Sequence, residues 1–311
     1  MRRDVELDEK REVTIEQPPV CNYEGSDYQS SFWEHGDRAY EDQVEAVALR
    51  RLLPVSGQLM LELGAGAGRN TPRYHGFERI VLLDYSLSQL QQAQAQLGKD
   101  RKYIYVAADI YRLPFTSGVF DAATMIRTLH HMADAHRALA QVRRVMQPGG
   151  VFVLEYANKK NIKAILRYWL RRQSWSPFSL EPVEFVELNF DFHPRYIRSI
   201  LADNQFAIQR QLTVSHFRLP FLKKIIPLKW LVAMDSAAQL TGNLWQLTPS
   251  VFVRSLAQGD RPSARNEGLF CCPECGSVLL EQSENAISCA GCSKSWKIQD
   301  GIYDFRHPLD A

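Results

Sequence analysis

The stretch Leu59-Met-Leu-Glu-Leu-Gly-Ala-Gly-Ala-Gly68 decides how the rest of the chain is interpreted. Its first five residues form a short, mostly apolar run, which is typical of a buried strand in a parallel sheet. Three glycines follow at alternate positions, Gly64, Gly66 and Gly68. Glycine permits a tight turn and lets a ligand approach the backbone closely. The stretch therefore predicts a strand, a ligand-contacting turn and the start of a helix.

Signals for strands and helices alternate after this stretch. Apolar runs predict strands at residues 80–84, 103–107, 119–126 and 151–156, and helical periodicity predicts helices at 42–53, 86–97 and 133–146. Beyond residue 158 we expect helices at 159–172, 194–204 and 221–240 and strands at 207–216 and 250–256. Such alternation implies an α/β fold with helices on both faces of a parallel sheet. We therefore expect a Rossmann-like sheet of seven strands.

The composition limits the classes of protein to consider. The 311 residues are 45% apolar and carry a net charge of +2, so a sizeable core is expected and any electrostatic attraction must come from local patches. No run of about 18 apolar residues is present, which argues against a membrane-spanning helix. Residues 1–20 lack the apolar stretch of a signal peptide and read as a flexible tail, so we expect a cytoplasmic protein.

Acidic residues at the ends of three predicted strands narrow the classes of ligand that the site can bind. Glu62 precedes the glycine turn, Asp84 ends the second strand, and Asp109 with Ile110 follows the third. A carboxylate such as Asp84 can accept both ribose hydroxyls, and Asp109 can accept the amino group of an adenine. The glycine spacing is not the G-x-G-x-x-G of dinucleotide sites. A dinucleotide-binding enzyme on the same fold nevertheless stays as an alternative. Equally, Glu62 and Asp109 could simply cap the helical segments that follow them.

Five segments occur in an order that resembles class I S-adenosylmethionine-dependent methyltransferases. They are LELGAGAGRN (61–70), VLLDYS (81–86), AADIYRLPF (107–115), FDAATMIRTLHHM (120–132) and VMQPGGVFVLEY (145–156). The chain is most similar to the ubiquinone and menaquinone biosynthesis type, methyltransferase type 11. The resemblance is strong over residues 55–160 and loose over 20–257.

The resemblance implies how S-adenosylmethionine would be held. The turn formed by Gly64, Ala65, Gly66 and Gly68 would receive the methionine part, and Glu62 would orient it through a water or its amine. Asp84 would bind the ribose, with Tyr85 near the adenine. Asp109 and Ile110 would hold the adenine edge. The aromatic segment Tyr28–Trp33 is similar to the N-terminal helix that covers the cofactor in this family.

The segment after the fourth strand is expected to face the methyl acceptor. The resemblance implies that Arg127 presents its backbone carbonyl to the methionine amine, and its side chain can also reach the substrate. His130 and His131 follow, and one of them can serve as a general base for a hydroxyl acceptor. The alternative is that both histidines only line the pocket. No Asn/Asp-Pro-Pro-aromatic motif and no cysteine follow this strand, which disfavours base amines, glutamine amides and cytosine C5 as acceptors.

A basic stretch lies further along, at residues 159–172. It contains six cations, Lys159, Lys160, Lys163, Arg167, Arg171 and Arg172, together with Tyr168 and Trp169 and no acid. Basic faces with aromatic residues suit an anionic membrane surface or RNA. A solvated helix face is the plain alternative. Contact with a membrane surface is one candidate role for this stretch, and nucleic acid is not favoured.

Five of the six cysteines crowd into the C-terminal part of the chain. Two pairs, Cys272 with Cys275 and Cys289 with Cys292, form a C-x2-C…C-x2-C pattern that predicts a structural zinc site with four thiolates. Cys271 is a spare that could replace Cys272. The continuation Trp296-Lys-Ile-Gln-Asp-Gly-Ile302 resembles the zinc ribbon of the small activator subunit of tRNA, rRNA and protein methyltransferases, here fused in the same chain. A nucleic-acid-binding ribbon is the rival interpretation.

These patterns together predict a domain order and a function. We expect a tail at 1–20, a methyltransferase domain at 21–257, a linker at 258–268 and a zinc ribbon at 269–308. The favoured function is methyl transfer from S-adenosylmethionine to a small-molecule or lipid-like acceptor. The alternatives are an RNA or protein methyltransferase with a built-in activator ribbon, and a non-catalytic cofactor-binding scaffold.

Overall fold

A computed structural model describes residues 18–22, 24–25, 38–259 and 268–309. The predicted lid segment Tyr28–Trp33, most of the tail at 1–20 and most of the linker at 258–268 lie outside the described residues. Among the described residues, no helix combines the length and apolar character needed to cross a bilayer.

The first part of the chain alternates strands and helices as predicted. Its elements are α1 (Ala39–Leu52), β1 (Gly57–Leu63), β2 (Phe77–Asp84), α2 (Leu87–Leu97), β3 (Tyr103–Ala107), β4 (Phe120–Met125), α3 (Ala135–Val145) and β5 (Met146–Ala157). The second part contains α4 (Ile162–Trp169), β6 (Val183–Val186), β7 (Asn189–Asp191), α5 (Pro194–Asp203), β8 (Phe206–Val214), α6 (Pro220–Ile225), α7 (Leu228–Ala238) and β9 (Ser250–Ala257). Four short strands follow, β10 (Leu280–Gln282), β11 (Ala286–Cys289), β12 (Ser295–Gln299) and β13 (Ile302–Asp304).

One sheet runs through the molecule in the order β10-β11-β12-β13-β3-β2-β1-β4-β5-β9-β8. Strands β3, β2, β1, β4 and β5 are parallel, and β9 is antiparallel to both β5 and β8. The α/β prediction is confirmed, but seven strands was too few. The C-terminal module adds its four strands to the edge of the expected seven.

The C-terminal module and the main domain meet at the parallel pair of strands β13 and β3. Ile302 lies opposite Tyr105 and Asp304 lies opposite Ala107, and the amide of Phe305 donates to the carbonyl of Ala107 (2.7 Å). Trp296 is fully buried. An exposed strand edge is a template for unwanted pairing, and the module covers this one. The C-terminal module is therefore structurally continuous with the main domain.

Three local predictions were wrong. The glycine turn leads to a single 3₁₀ turn, Thr71–Tyr74, instead of the predicted helix, because β2 begins at Phe77 and leaves room for one turn. Pro227 divides the predicted helix at 221–240 into α6 and α7, since proline lacks the amide that a helix interior needs. The β6–β7 hairpin was not predicted at all.

Candidate functional site

A cleft opens at the carboxyl ends of β1, β2 and β4, where ligands bind in open parallel sheets. It encloses about 990 Å³ of space, part of which is open to solvent. The residues that line it come from the N-terminal segment, the glycine turn, the ends of β1, β2, β3 and β4, and α2: Val20, Cys21, Glu62, Gly64, Ala65, Gly66, Ala67, Arg69, Asn70, Leu83, Asp84, Tyr85, Gln89, Ala108, Ile110, Ile126, Arg127, Thr128, His131 and Met132.

The glycine turn brings bare backbone to the floor of this cleft. Gly64 and Gly66 both have positive φ, 69° and 53°, which favours glycine. A Cβ on Gly64 would fall 2.1 Å from the Thr128 hydroxyl oxygen, so no larger residue fits there. The amides of Gly64 and Ala65 donate to the carbonyl of Leu83. A ligand can therefore approach the backbone of the turn closely. The amides of Gly64 and Ala65 are already hydrogen-bonded to Leu83 and connect β1 to β2.

Asp84 ends β2 and lies next to the turn. Its carboxylate accepts the amide of Gly66 (2.8 Å) through one oxygen and that of Ser86 (2.9 Å) through the other. Burial raises the pKa of Asp84, and the two amides partly offset that effect. A carboxylate can accept about four hydrogen bonds. The two remaining positions suit a pair of vicinal hydroxyls.

Glu62 is buried near the end of β1, just before the turn. Its carboxylate accepts the hydroxyl of Thr71 (2.6 Å). Burial raises the pKa of Glu62 to about 7, against the opposing effect of Thr71 and the nearby Arg69. Near pH 7 Glu62 is therefore partly ionised, and its ionised form can accept a hydrogen bond from the cationic amine of a ligand in the cleft.

An ion-pair network joins the cleft to α1. Buried Glu45 accepts from Arg127, through both Nε (2.8 Å) and a terminal nitrogen, and from Arg69 (2.8 Å). Burial alone would raise the pKa of Glu45, but the guanidinium groups of Arg127 and Arg69 outweigh it and hold that pKa below its ordinary value. The backbone amide of Arg127 donates to Glu155 (3.0 Å). The Arg127 side chain, expected to reach the substrate, is instead paired with α1.

Replacing Glu45 with glutamine should lower the free energy of unfolding by about 3 kcal/mol, because a fully buried carboxylate that pairs with two half-buried guanidinium groups would be lost, although Arg69 would keep its second pair with Asp42. Urea unfolding at neutral pH measures this loss. The exposed Glu78→Gln variant is the matched control, and it should stay within about 0.5 kcal/mol of the unmodified protein. Equal stability of the two variants would contradict the role given to the network.

His131 lies in the wall of the cleft, and the β6–β7 hairpin holds it. Its Nδ1 lies 3.0 Å from the carbonyl oxygen of Leu188, which stands at the hairpin turn with a positive φ of 51°. That contact favours the tautomer with a proton on Nδ1, which makes Nε2 the basic nitrogen. Burial lowers the pKa of His131, and the Leu188 carbonyl opposes this in part. His131 is therefore neutral near pH 7, as a general base must be.

The structure brings most of the predicted ligand-binding residues together, but not all. Gly68, Asp109 and His130 are not among the residues that line the cleft. A Cβ on Gly68 would meet Leu97 of α2 at 2.9 Å, so this glycine permits close packing of α2. The Asp109 carboxylate accepts the amide of Tyr111 (2.8 Å) and caps the short turn that follows, which is the alternative raised for it above.

Sequence reasoning missed several lining residues. Arg69 and Asn70 directly follow the glycine turn, and their position next to it was the available signal. Gln89 comes from α2, and Thr128 follows Arg127. Val20 pairs with Met132 across the cleft, a contact between distant segments that no local pattern indicates.

The four predicted cysteine ligands converge at the far edge of the sheet. The sulfur atoms of Cys272, Cys275, Cys289 and Cys292 all lie within 4.8 Å of one another. Cys272 and Cys292 are 3.6 Å apart, as are Cys275 and Cys289. Tetrahedral Zn²⁺ with bonds of about 2.3 Å requires sulfurs about 3.8 Å apart, so the group fits that ion. The thiol of Cys271 points elsewhere and donates to the carbonyl of Phe115 (3.1 Å).

Parts of the chain are similar in sequence to known methyltransferases. A demethylmenaquinone methyltransferase of Clavibacter sepedonicus is 32% identical over 115 residues, which cover 36% of this chain and 47% of that protein. An uncharacterized chloroplastic methyltransferase of Arabidopsis thaliana is 38% identical over 111 residues, 33% of this chain and 31% of that protein. The chain thus spans less than half the length of these relatives.

The fold has solved counterparts. A chain from the solved complex of the Haloferax volcanii Trm112 methyltransferase activator superposes with a TM-score of 0.54, at 16% identity, over 75% of this chain and 96% of that one. Likeness at this identity concerns the fold alone. Residues 61–154 match the family model described as a methyltransferase domain. The matched residues include every residue that lines the cleft except Val20 and Cys21.

Proposed function

We propose that the protein transfers a methyl group from S-adenosylmethionine to a small-molecule or lipid-like acceptor. The observation that carries this proposal is the single cleft in which the glycine turn, Glu62 and Asp84 meet inside the methyltransferase domain. Asp84 would hold the ribose hydroxyls, and Glu62 would face the amine of the methionine part. Ile110 and Tyr85 would flank the adenine.

When bound, S-adenosylmethionine supplies a sulfonium-linked methyl group that is already activated. The protein then has to align the acceptor with that methyl group and exclude water, and alignment can lower such a barrier by roughly 7–11 kcal/mol. His131 would accept a proton from a hydroxyl acceptor through Nε2. His130 is the weaker candidate, because it does not line the cleft.

The class of acceptor rests on three supports. The relative from Clavibacter sepedonicus is named a demethylmenaquinone methyltransferase. The motif for exocyclic amines is missing after β4, and so is a cysteine nucleophile. Incubating the purified protein with methyl-labelled S-adenosylmethionine and extracts of lipid, RNA or protein tests the proposal. Label in the lipid or small-molecule fraction is expected, and label only in RNA or protein would overturn it.

Cofactor affinity should depend on pH through Glu62. In the free protein Glu62 is largely neutral below its pKa of about 7, whereas the cationic amine of the cofactor binds the ionised form. Affinity should therefore fall as the pH decreases from 7.5 to 5.5, by up to about tenfold per unit below the pKa. Calorimetric titration with S-adenosylhomocysteine, which carries the same amine, measures the slope.

The matched variant for this titration is Glu62→Gln. It should bind more weakly near pH 7.5 and lose most of the pH dependence, while Glu78→Gln should keep the full slope. Arg69, Arg73 and Tyr74 surround the same carboxyl and are unchanged in both variants. A slope that persists in Glu62→Gln would assign the pH dependence to another group.

We also propose that Cys272, Cys275, Cys289 and Cys292 hold a structural Zn²⁺. Four thiolates complete a tetrahedral site and leave no position for a substrate, so the ion would stabilise the module without taking part in the transfer. The separations among the four sulfurs support this assignment.

A second candidate function is methylation of RNA or protein with a built-in activator. The observation in its favour is the β13–β3 pairing, through which the cysteine module covers the edge of the methyltransferase sheet. The fractionated labelling experiment separates the two candidates. The third, a scaffold that binds the cofactor without transferring methyl, predicts cofactor binding and no labelled fraction.

A further inference from the structure

Helix α4 exposes its apolar face. Ile162, Leu166, Trp169 and the next residue, Leu170, follow the spacing of one helical face, and all four are exposed, Trp169 to 68% and Leu170 to 63%. Ala164 is the buried residue of this helix. Exposed contiguous apolar surface on a protein usually marks a binding site.

A second segment extends this face. The amide of Ile162 donates to the carbonyl of Leu247 (2.9 Å), and the side chain of Asn158 donates to the carbonyls of Gln246 and Thr248. These bonds hold residues 244–247 against the start of α4. Leu244 and Trp245 are exposed there as well. We call residues 162–172 with 244–247 the basic-apolar surface.

The charges on this surface have one sign. Lys163, Arg167, Arg171 and Arg172 are exposed, and no acidic residue occurs between positions 158 and 180. Lys159, predicted to belong to the basic stretch, does not contribute. It is buried, and its ammonium group donates to the hydroxyl of Ser179 (2.8 Å) and the carbonyl of Glu181 (2.6 Å). It fastens the loop before β6 and is not available at the surface.

We propose that the basic-apolar surface docks the protein on an anionic lipid bilayer. Tryptophan and leucine side chains enter the boundary between headgroups and acyl chains, while lysine and arginine stay at the level of the phosphates. Four exposed cations complement a negatively charged leaflet. Docking of this kind would give the cleft access to a lipid-like acceptor, but it does not depend on the methyl transfer proposed above.

Two other occupants fit the surface less well. A second copy of the chain would place the same four cations against themselves in a two-fold contact. An RNA would match the cations and stack on Trp169, yet it would leave Ile162, Leu166 and Leu170 in contact with water. The bilayer satisfies both the apolar and the charged side chains.

Co-sedimentation of the full chain with vesicles tests this proposal without any cofactor. The vesicles are pure phosphatidylcholine, or phosphatidylcholine with about one third phosphatidylglycerol. The partition coefficient should be at least about tenfold higher for the anionic vesicles and should fall at high salt. The double variant Trp169→Ser with Leu170→Ser should lower it by about tenfold or more. Lys163→Gln with Arg167→Gln should remove much of the preference for anionic vesicles.

The matched control is Val55→Ser with Leu279→Ser, which removes two apolar side chains exposed to 94% and 67% elsewhere on the protein. It should bind the anionic vesicles as the unmodified chain does. Equal binding by the Trp169/Leu170 variant and this control would overturn the proposal. Two other results would also overturn it. One is a dimer, seen by light scattering, that the Trp169/Leu170 variant dissociates. The other is binding to bulk tRNA that the Trp169/Leu170 variant loses, in a protein that does not bind vesicles. Thermal unfolding shows whether the Trp169/Leu170 variant is folded. If it is not, the proposal is tested by whether the Lys163/Arg167 variant loses its preference for anionic vesicles.

Discussion

Cys275→Ser is expected to abolish the zinc binding proposed above and to unfold the four C-terminal strands. The strands β10 to β13 are three to five residues long, so their own core is small. Metal binding contributes about 10 kcal/mol or more to the folding of small zinc modules at neutral pH. A serine in place of one thiolate removes most of that contribution. Strong chelation of the unmodified protein should have the same result.

The damage should extend into the main sheet. Loss of β13 would leave the edge of β3 uncovered and expose the fully buried Trp296, and an uncovered apolar edge favours aggregation. Metal analysis by mass spectrometry, tryptophan fluorescence and hydrogen exchange at Tyr105 and Ala107 measure the three consequences. A protein that keeps its zinc, or keeps protected amides in β12 and β13 without it, would contradict the assignment.

Cys271→Ser is the matched control for this experiment. Cys271 is adjacent in sequence to the first ligand and is buried, yet its thiol bonds to Phe115 and lies outside the group of four. We expect full zinc content in this variant and only a small change in stability. Zinc loss in Cys271→Ser that equals the loss in Cys272→Ser would mean that the spare cysteine shares the metal.

Asp84→Asn is expected to weaken cofactor binding by two to three orders of magnitude. The ionised carboxylate would accept two ribose hydroxyls, and each hydrogen bond to a charged group contributes roughly 1.5–3 kcal/mol. The amide of asparagine can accept through only one atom, and its NH₂ group would face the amide of Gly66. The combined loss is therefore about 4 kcal/mol. Calorimetric titration with S-adenosylhomocysteine measures the dissociation constant directly.

The control for Asp84 is Asp100→Asn, at an exposed acid just before β3 that also accepts a nearby backbone amide. It should leave the affinity unchanged. Without ligand, Asp84→Asn should be destabilised by about 1–3 kcal/mol, because a buried backbone amide loses its acceptor. Thermal unfolding should still show a folded protein at the temperature of the titration, so that weaker binding is not a consequence of unfolding. An affinity for the cofactor that survives in Asp84→Asn would remove the central support for the proposed methyl transfer.

Local patterns predicted the elements that local chemistry controls. The boundaries of β3 agree with the prediction, and α2 begins after Ser86, whose hydroxyl accepts the amide of Gln89, and ends at Gly98. The hairpin β6–β7 escaped prediction although residues 186–192 alternate apolar and polar side chains, because its strands are only four and three residues long and neither contains a buried residue. Its importance lies in one contact, from Leu188 to His131, between segments 57 residues apart.

The sequence by itself determined the order of the strands and helices in the first half of the chain, the glycine turn with its neighbouring acids, and the four cysteines with metal-ligand spacing. These features follow from apolar periodicity and from residue chemistry over a few neighbouring positions. Only the tertiary structure decided that β13 joins β3, that Glu45 binds Arg69 and Arg127, and that Lys159 is buried while Trp169 is not. Each of these depends on packing between segments far apart in the chain, and spacing along the sequence carries no information about it.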